Sequence, residues 1–125
     1  MLLELAEKFH AKARVAGEYC PESTAKFLIG MIGSDHACVF VSERGMIGGL
    51  AWPSQWSKDY LQAIESFWWA EDGHGRELAD AFEAWAKAKG AKSTQMCFLH
   101  SLMPEKVEKM LRMRGYKPLE TNMVK

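Results

Sequence analysis

Apolar residues recur along the chain with two different periods, and the switches between them mark out the elements. Leu2, Leu5, Ala6, Phe9 and Ala13 repeat at three- and four-residue steps, which predicts an amphipathic first helix. The stretch from Gly17 to Pro21 breaks it. A second helix is expected from Pro21, because proline fits a first helical turn and Glu22 suits the positive end. Phe27, Leu28, Met31 and Ile32 would form its buried stripe, and Gly33-Ser34-Asp35 would end it.

The period then falls to two. Residues Ala37 to Val41 are short, β-branched and apolar, Glu43-Arg44-Gly45 is a turn, and Met46 to Trp52 reads as the returning strand of a hairpin. Gly48-Gly49 inside that strand marks a weak point, a bulge or a close backbone approach. Pro53 to Asp59 reads as a loop bordered by Trp52 and Trp56. Leu61 to Ala70 reads as a third strand, with Ile64, Ser66 and Trp68 on one face and Glu65, Phe67 and Trp69 on the other. Past a turn at Gly73-His74-Gly75-Arg76, Leu78, Phe82, Trp85 and Ala86 share one helical face that stops at Gly90. Ser93 to Leu99 is a fourth strand. Pro104 to Arg114 is a last helix, with Val107, Met110, Leu111 and Arg114 aligned and Gly115 as its stop. Tyr116 to Val124 is a final extended stretch.

The expected order is α-α-β-β-β-α-β-α-β in one domain spanning residues 1–125. The strand–helix–strand unit from Leu61 to Leu99 implies a parallel pair joined by a right-handed crossover. The fold class is therefore α/β, or α+β, with a mixed sheet flanked by helices.

Composition narrows the function. Hydrophobic residues make up 48% and charged residues 26%, the profile of a folded globular chain. Lys plus Arg equals Asp plus Glu at 16 each, so no global field draws the chain to nucleic acid or membrane, and any anion site must be local. No apolar run approaches the roughly 18 residues of a membrane span. The start mixes charge with apolar residues at helical spacing, unlike a signal or transit peptide, and the expected location is cytoplasmic. Of Cys20, Cys38 and Cys97, the latter two sit in apolar runs and are expected to be buried thiols in a reducing compartment. Nothing visible lowers the pKa of Cys97, so a nucleophilic role is not indicated for it.

The chemistry points to the glycine turn. Glycines between a strand and a helix let backbone N–H groups approach a ligand, and the helix start adds positive partial charge, which together suit a phosphate or pyrophosphate. A plain turn is the alternative, and Glu71, Asp72 and Glu77 place negative charge beside the proposed site.

The run Glu65-Ser-Phe-Trp-Trp, the glycine turn, and Ala81-Phe-Glu-Ala-Trp-Ala-Lys-Ala-Lys-Gly-Ala91 together resemble the core motif of the GNAT acetyltransferases. So does the ending Met110-Leu-Arg-Met-Arg-Gly-Tyr-Lys-Pro-Leu-Glu120. The resemblance covers roughly residues 37–125, and small bacterial and phage-encoded members look most similar. It implies a V-shaped opening between the third and fourth strands that admits acetyl-CoA. The pantetheine arm would pair with the backbone of Trp68, Trp69 and Ala70. The pyrophosphate would sit on Gly73, His74, Gly75, Arg76, Glu77 and Leu78. An amine of a small molecule or protein would then attack the thioester, with no metal required. The chain departs from the family pattern in three ways. The first strand is missing, Asp72 and Glu77 replace motif residues, and Leu111 stands where the family has a tyrosine acid. A binding or assembly module without turnover is the competing expectation.

Glu65 is the candidate base, since partial burial beside Phe67 and Trp69 would raise its pKa; the alternative is a paired or solvent-facing strand carboxylate. His100 is the second candidate, against a solvent-facing loop histidine. His36-x-Cys38 and Cys97-x-x-His100 have the residue types of a zinc site but not its tight-turn spacing. Lys106, Lys109, Arg112 and Arg114 could meet a phosphate, although Glu105–Lys109 and Glu108–Arg112 read as ordinary i,i+4 pairs. Trp52 and Trp56 suggest an acceptor pocket, a dimer contact or loop packing. The absent first strand leaves a sheet edge that invites a homodimer.

Overall fold

The computed structural model describes residues 1–14, 16–71 and 73–125, so the expectations placed on Asp72 lie outside the described residues. Helices α1 (Leu2–Ala13) and α2 (Pro21–Ile32) lead into strands β1 (Ala37–Ser42), β2 (Gly45–Ser54) and β3 (Ser57–Ala70). Helix α3 (Gly75–Ala88), strand β4 (Ser93–Gln95) and helix α4 (Pro104–Met113) follow. The four strands lie in sequence order, with β1, β2 and β3 antiparallel and β4 parallel to β3.

The sheet divides two cores. On one face Cys38, Ile47 and Ala63 pack against Leu78, Phe82 and Ala86 of α3, with Phe40, Trp68 and Trp85 around them. On the other, Met46 packs against Leu5 and Ala6 of α1, with Phe67 and Trp69 alongside. The period of each element carries these contacts directly: Leu78, Phe82 and Ala86 line one side of α3, while Met46 and Ile47 point to opposite faces of β2. Two glycines let the layers close. A Cβ on Gly48 would sit 2.4 Å from the Phe67 ring, and one on Gly49 would sit 2.4 Å from the Phe82 ring. The Gly48-Gly49 pair is thus both a close approach and the site of a register irregularity between β2 and β3.

Several expectations change. The stretch from Pro53 to Asp59 is not a loop: β2 runs to Ser54, β3 starts at Ser57, and the Trp56 N–H donates to Ser54 Oγ at 3.2 Å across the tight turn between them. Pro53 is tolerated because the register shifts there. On α2 only Leu28 and Met31 are buried, while Phe27 and Ile32 are exposed, because the helix packs through a narrower stripe than its composition suggests. The last helix behaves as expected, with Leu111 buried. The fourth strand stops at Gln95 instead of Leu99. With so short an edge beside it, the Tyr116–Val124 stretch forms no strand.

Candidate functional site

Strand β4 follows β3 only through Gln62↔Ser93, Ala63↔Thr94 and Ile64↔Gln95. Beyond that point the two chains part, and the β3 edge from Glu65 to Ala70 has no strand beside it among the described residues. At the fork, the Cys97 N–H donates to Glu65 Oε2 at 3.0 Å. This bond spans the two chains just past the last paired residues, Ile64 and Gln95. Glu65 is 7% exposed and is the one buried charged residue in the described core. Burial pushes its carboxyl from 4.5 up to about 7, and the Cys97 amide offsets only part of that rise.

The orientation of Glu65 is set by a bulge. Gly48 pairs with Phe67 but Gly49 pairs with Glu65, so Ser66 is the extra residue. Cross-strand partners share a face. Gly49 faces Phe82 of α3, hence so does Glu65; Gly48 faces Phe67, on the α1 and α2 side. The expectation that Glu65 shares a face with Phe67 and Trp69 is therefore corrected, because one inserted residue inverts the alternation. The expectation of burial holds.

The glycine turn lies at the far end of the open edge. Gly73 has φ of +80°, a conformation that favours glycine, and open space where a Cβ would be. His74 is the exposed N-cap of α3, and no described side chain caps the helix start. Gly75, Arg76 and Glu77 fall in the first turn, so the helix begins before Leu78 and its leading amides have no intrahelical acceptor. The Trp68 indole Nε1 donates to the Gly75 carbonyl at 3.2 Å, and a Cβ on Gly75 would lie 3.3 Å from that indole. Trp68 thus buttresses the turn from below. Trp69 points to the other face, and Ala70 lies beneath Leu78 in the α3 core. Lys8 Nζ lies 3.3 Å from Glu71 Oε1 and partly offsets the negative charge beside the turn.

On the opposite face of the fork, α1, α2, β2 and β3 flank an open cavity of about 210 Å³ lined by Phe9, His10, Tyr19, Phe27, Ser66 and Phe67 among others. Reading the sequence alone missed this set. Its only local signal was the aromatic content of the two leading helices and the segment between them, since the residues are brought together from both helices, that segment, β2 and β3. A larger groove on α4 is lined by that helix alone and is a surface feature.

Other candidates are dispersed. His100 lies exposed in the turn past β4, its ring tilted against Phe98. Cys97 is exposed, against expectation, because the chain has already left the sheet. Its thiol is still pushed up by partial burial of the sulfur and by the Glu65 and Glu120 carboxylates. Cys38 is buried, and burial pushes it to about 11. Cys38 belongs to β1 and His36 immediately precedes that strand, while Cys97 and His100 follow β4 with β2 and β3 in between, so the four zinc-type residues do not converge. Arg112 pairs with Glu108 at 2.8 Å, as expected of a solvated face. Arg114 instead reaches Asp80 and Glu83 of α3. Tyr116 donates to Glu83 at 2.7 Å and meets Thr94 Oγ1 at 3.0 Å, locking α3 to β4. Trp52 and Trp56 are exposed at the hairpin end. Among the described residues no helix is long and apolar enough to cross a membrane.

No family model and no curated protein matches the chain. Solved structures do. AAC(6')-Iy in complex with the bisubstrate analogue CoA-S-monomethyl-acetylneamine aligns at 12% identity and a TM-score of 0.71, covering 98% of this chain and 89% of that one. A predicted acetyltransferase with acetyl-CoA from Clostridium acetobutylicum aligns at 10% identity and a TM-score of 0.72, over 97% and 87% of the two chains. A transcriptional regulator from Bacillus halodurans aligns at 15% identity and a TM-score of 0.73, over 98% and 92%. The mixed sheet flanked by helices agrees with this likeness, and the chain has the fold of the GNAT acetyltransferases.

Proposed function

We propose that this protein transfers an acetyl group from acetyl-CoA to a primary amine. The observation that carries this reading is the fork at Ile64↔Gln95, which leaves the β3 edge open between a buried carboxylate and an uncapped helix start. Two of the similar structures hold acetyl-CoA or a CoA-based analogue, which supports the same reading.

In this reading the amides of Gly75, Arg76 and Glu77 receive the pyrophosphate, with backbone donors in place of side chains; the wider run from Gly73 to Leu78 is narrowed because the His74 N–H already donates to the Glu71 carbonyl at 3.1 Å and Leu78 lies past the first turn. The pantetheine arm lies along the edge of Trp68, Trp69 and Ala70, with Trp68 fixing the turn. The thioester then reaches the fork. Glu65 accepts a proton from the incoming ammonium, and its pKa near 7 leaves much of it ionised at neutral pH. The amine nitrogen bonds to the thioester carbon, the C–S bond breaks, and the proton lost from nitrogen ends on the departing thiolate. His100, exposed beyond the fork, is a lesser candidate for that proton path.

A binding or assembly role without turnover, as a homodimer through the outer strand β1, is the second reading. It is favoured by Leu111, which is buried and has no proton to donate. Calorimetry with acetyl-CoA and thiol release across a panel of amines separate the two. Binding and thiol release are expected. Absence of acetyl-CoA binding at millimolar concentration overturns the transferase.

A further inference from the structure

The cavity between α1, α2 and the β3 bulge has a lining that selects its occupant. Two aromatic pairs bound it: Phe27 and Phe67 meet edge to face at 6.3 Å, and His10 and Tyr19 are tilted at 5.7 Å. Its lining contains no carboxylate. Three of its four polar side chains are engaged with backbone carbonyls: His10 Nε2 lies 2.9 Å from Gly17 O, Tyr19 donates to Leu3 O at 3.1 Å, and Thr24 donates to Cys20 O at 2.9 Å. What the walls offer a ligand is ring faces and methyl groups. The fourth polar residue, Ser66, is the bulge itself, one residue from Glu65. The volume of about 210 Å³ falls below the roughly 300–1,000 Å³ of drug-sized ligand sites.

We infer that the acceptor is a small monoamine with a flat apolar body, one ring and a short chain, and not a polyamine or a lysine peptide. The ring packs among Phe9, Phe27 and Phe67, and the ammonium leads past Ser66 through the fork, where the Glu65 carboxylate meets the Cys97 amide from the α3 side. A polycation would need carboxylates for its additional charges, and the cavity has none. The inference rests on the acetyl-transfer reading for its chemistry, while the ligand class rests on the cavity alone.

The test uses the full chain with phenethylamine, spermidine and a lysine hexapeptide as acceptors. Phenethylamine is expected to exceed both others at least tenfold in kcat/KM by thiol release. Phe27, 51% exposed, can be truncated without opening the core. Phe27→Ala is expected to raise KM for phenethylamine about tenfold with a smaller effect on kcat, and Phe27→Tyr to restore it. Equal or better turnover of spermidine or the peptide overturns the inference while leaving acetyl transfer intact. Calorimetry with phenethylamine alone gives a readout free of turnover. Saturable binding that Phe27→Ala weakens supports the cavity even where acetyl-CoA fails to bind, and absence of such binding overturns it.

Discussion

Replacing Glu65 by glutamine separates the energetic cost of this residue from its chemical use. The wild-type carboxyl moves from 4.5 to about 7 on folding because burial penalises its charged form. Below about 4.5 it is protonated in both folded and unfolded chains and has no effect on the balance. Between about 4.5 and 7 the unfolded chain releases a proton that the folded chain keeps, so stability falls as pH rises. Above about 7 both states are ionised and the penalty is constant. At roughly 1.4 kcal/mol per pKa unit the full penalty is about 3 kcal/mol. Glu65→Gln retains a carbonyl oxygen for the Cys97 N–H and has nothing to ionise. Urea denaturation of both proteins from pH 4.5 to 8.5 is expected to give similar stabilities at the acid end. The variant should be about 3 kcal/mol more stable at pH 8, equivalent to roughly 10 °C in Tm for a domain of this size. Comparing the two at each pH cancels every other titrating group. The same variant should lose about 100-fold or more in kcat/KM, since general-base contributions run from about 10² to 10⁴. In the wild type, kcat/KM should rise through about pH 7. Parallel stability curves for the two proteins across the whole range would refute the burial argument.

Gly49→Ala places a Cβ 2.4 Å from the Phe82 ring and 2.8 Å from the Ile64 carbonyl. Phe82 is fully buried and cannot retreat, so chemical denaturation should show a loss of about 1–3 kcal/mol. Gly73→Ala meets no neighbour but must hold a φ of +80° at a cost of about 1–2 kcal/mol, so the turn should relax and acetyl-CoA affinity by calorimetry should fall several-fold. Arg114→Ala removes the link to Asp80 and Glu83, and a Tm scan should register about 1–2 kcal/mol, mostly from the half-buried Glu83 side.

The helices, the first hairpin and the glycine turn could all be read from local pattern, because each depends on a period of 3.6 or 2 within one segment. Leu78, Phe82 and Ala86 announce the buried face of α3 without reference to any partner. Gly48-Gly49 likewise signalled an irregularity, and the structure places a bulge opposite it. Which strand carries the extra residue was not legible. Ser66 looks like any other position in an alternating run, and only pairing with β2 makes it the insertion. That insertion decides the face on which Glu65 lies. The length of β4 also escaped local reading, since Ser93 to Leu99 is strand-like throughout, yet pairing with β3 ends at Gln95 and Cys97 meets a carboxylate 32 residues earlier. The cavity depends still more on long-range assembly, drawing Phe9, Phe27 and Phe67 from three elements. Periodicity reports what a segment can bury. Register and the meeting of distant side chains depend on partners outside the segment, and only the packed chain supplies them.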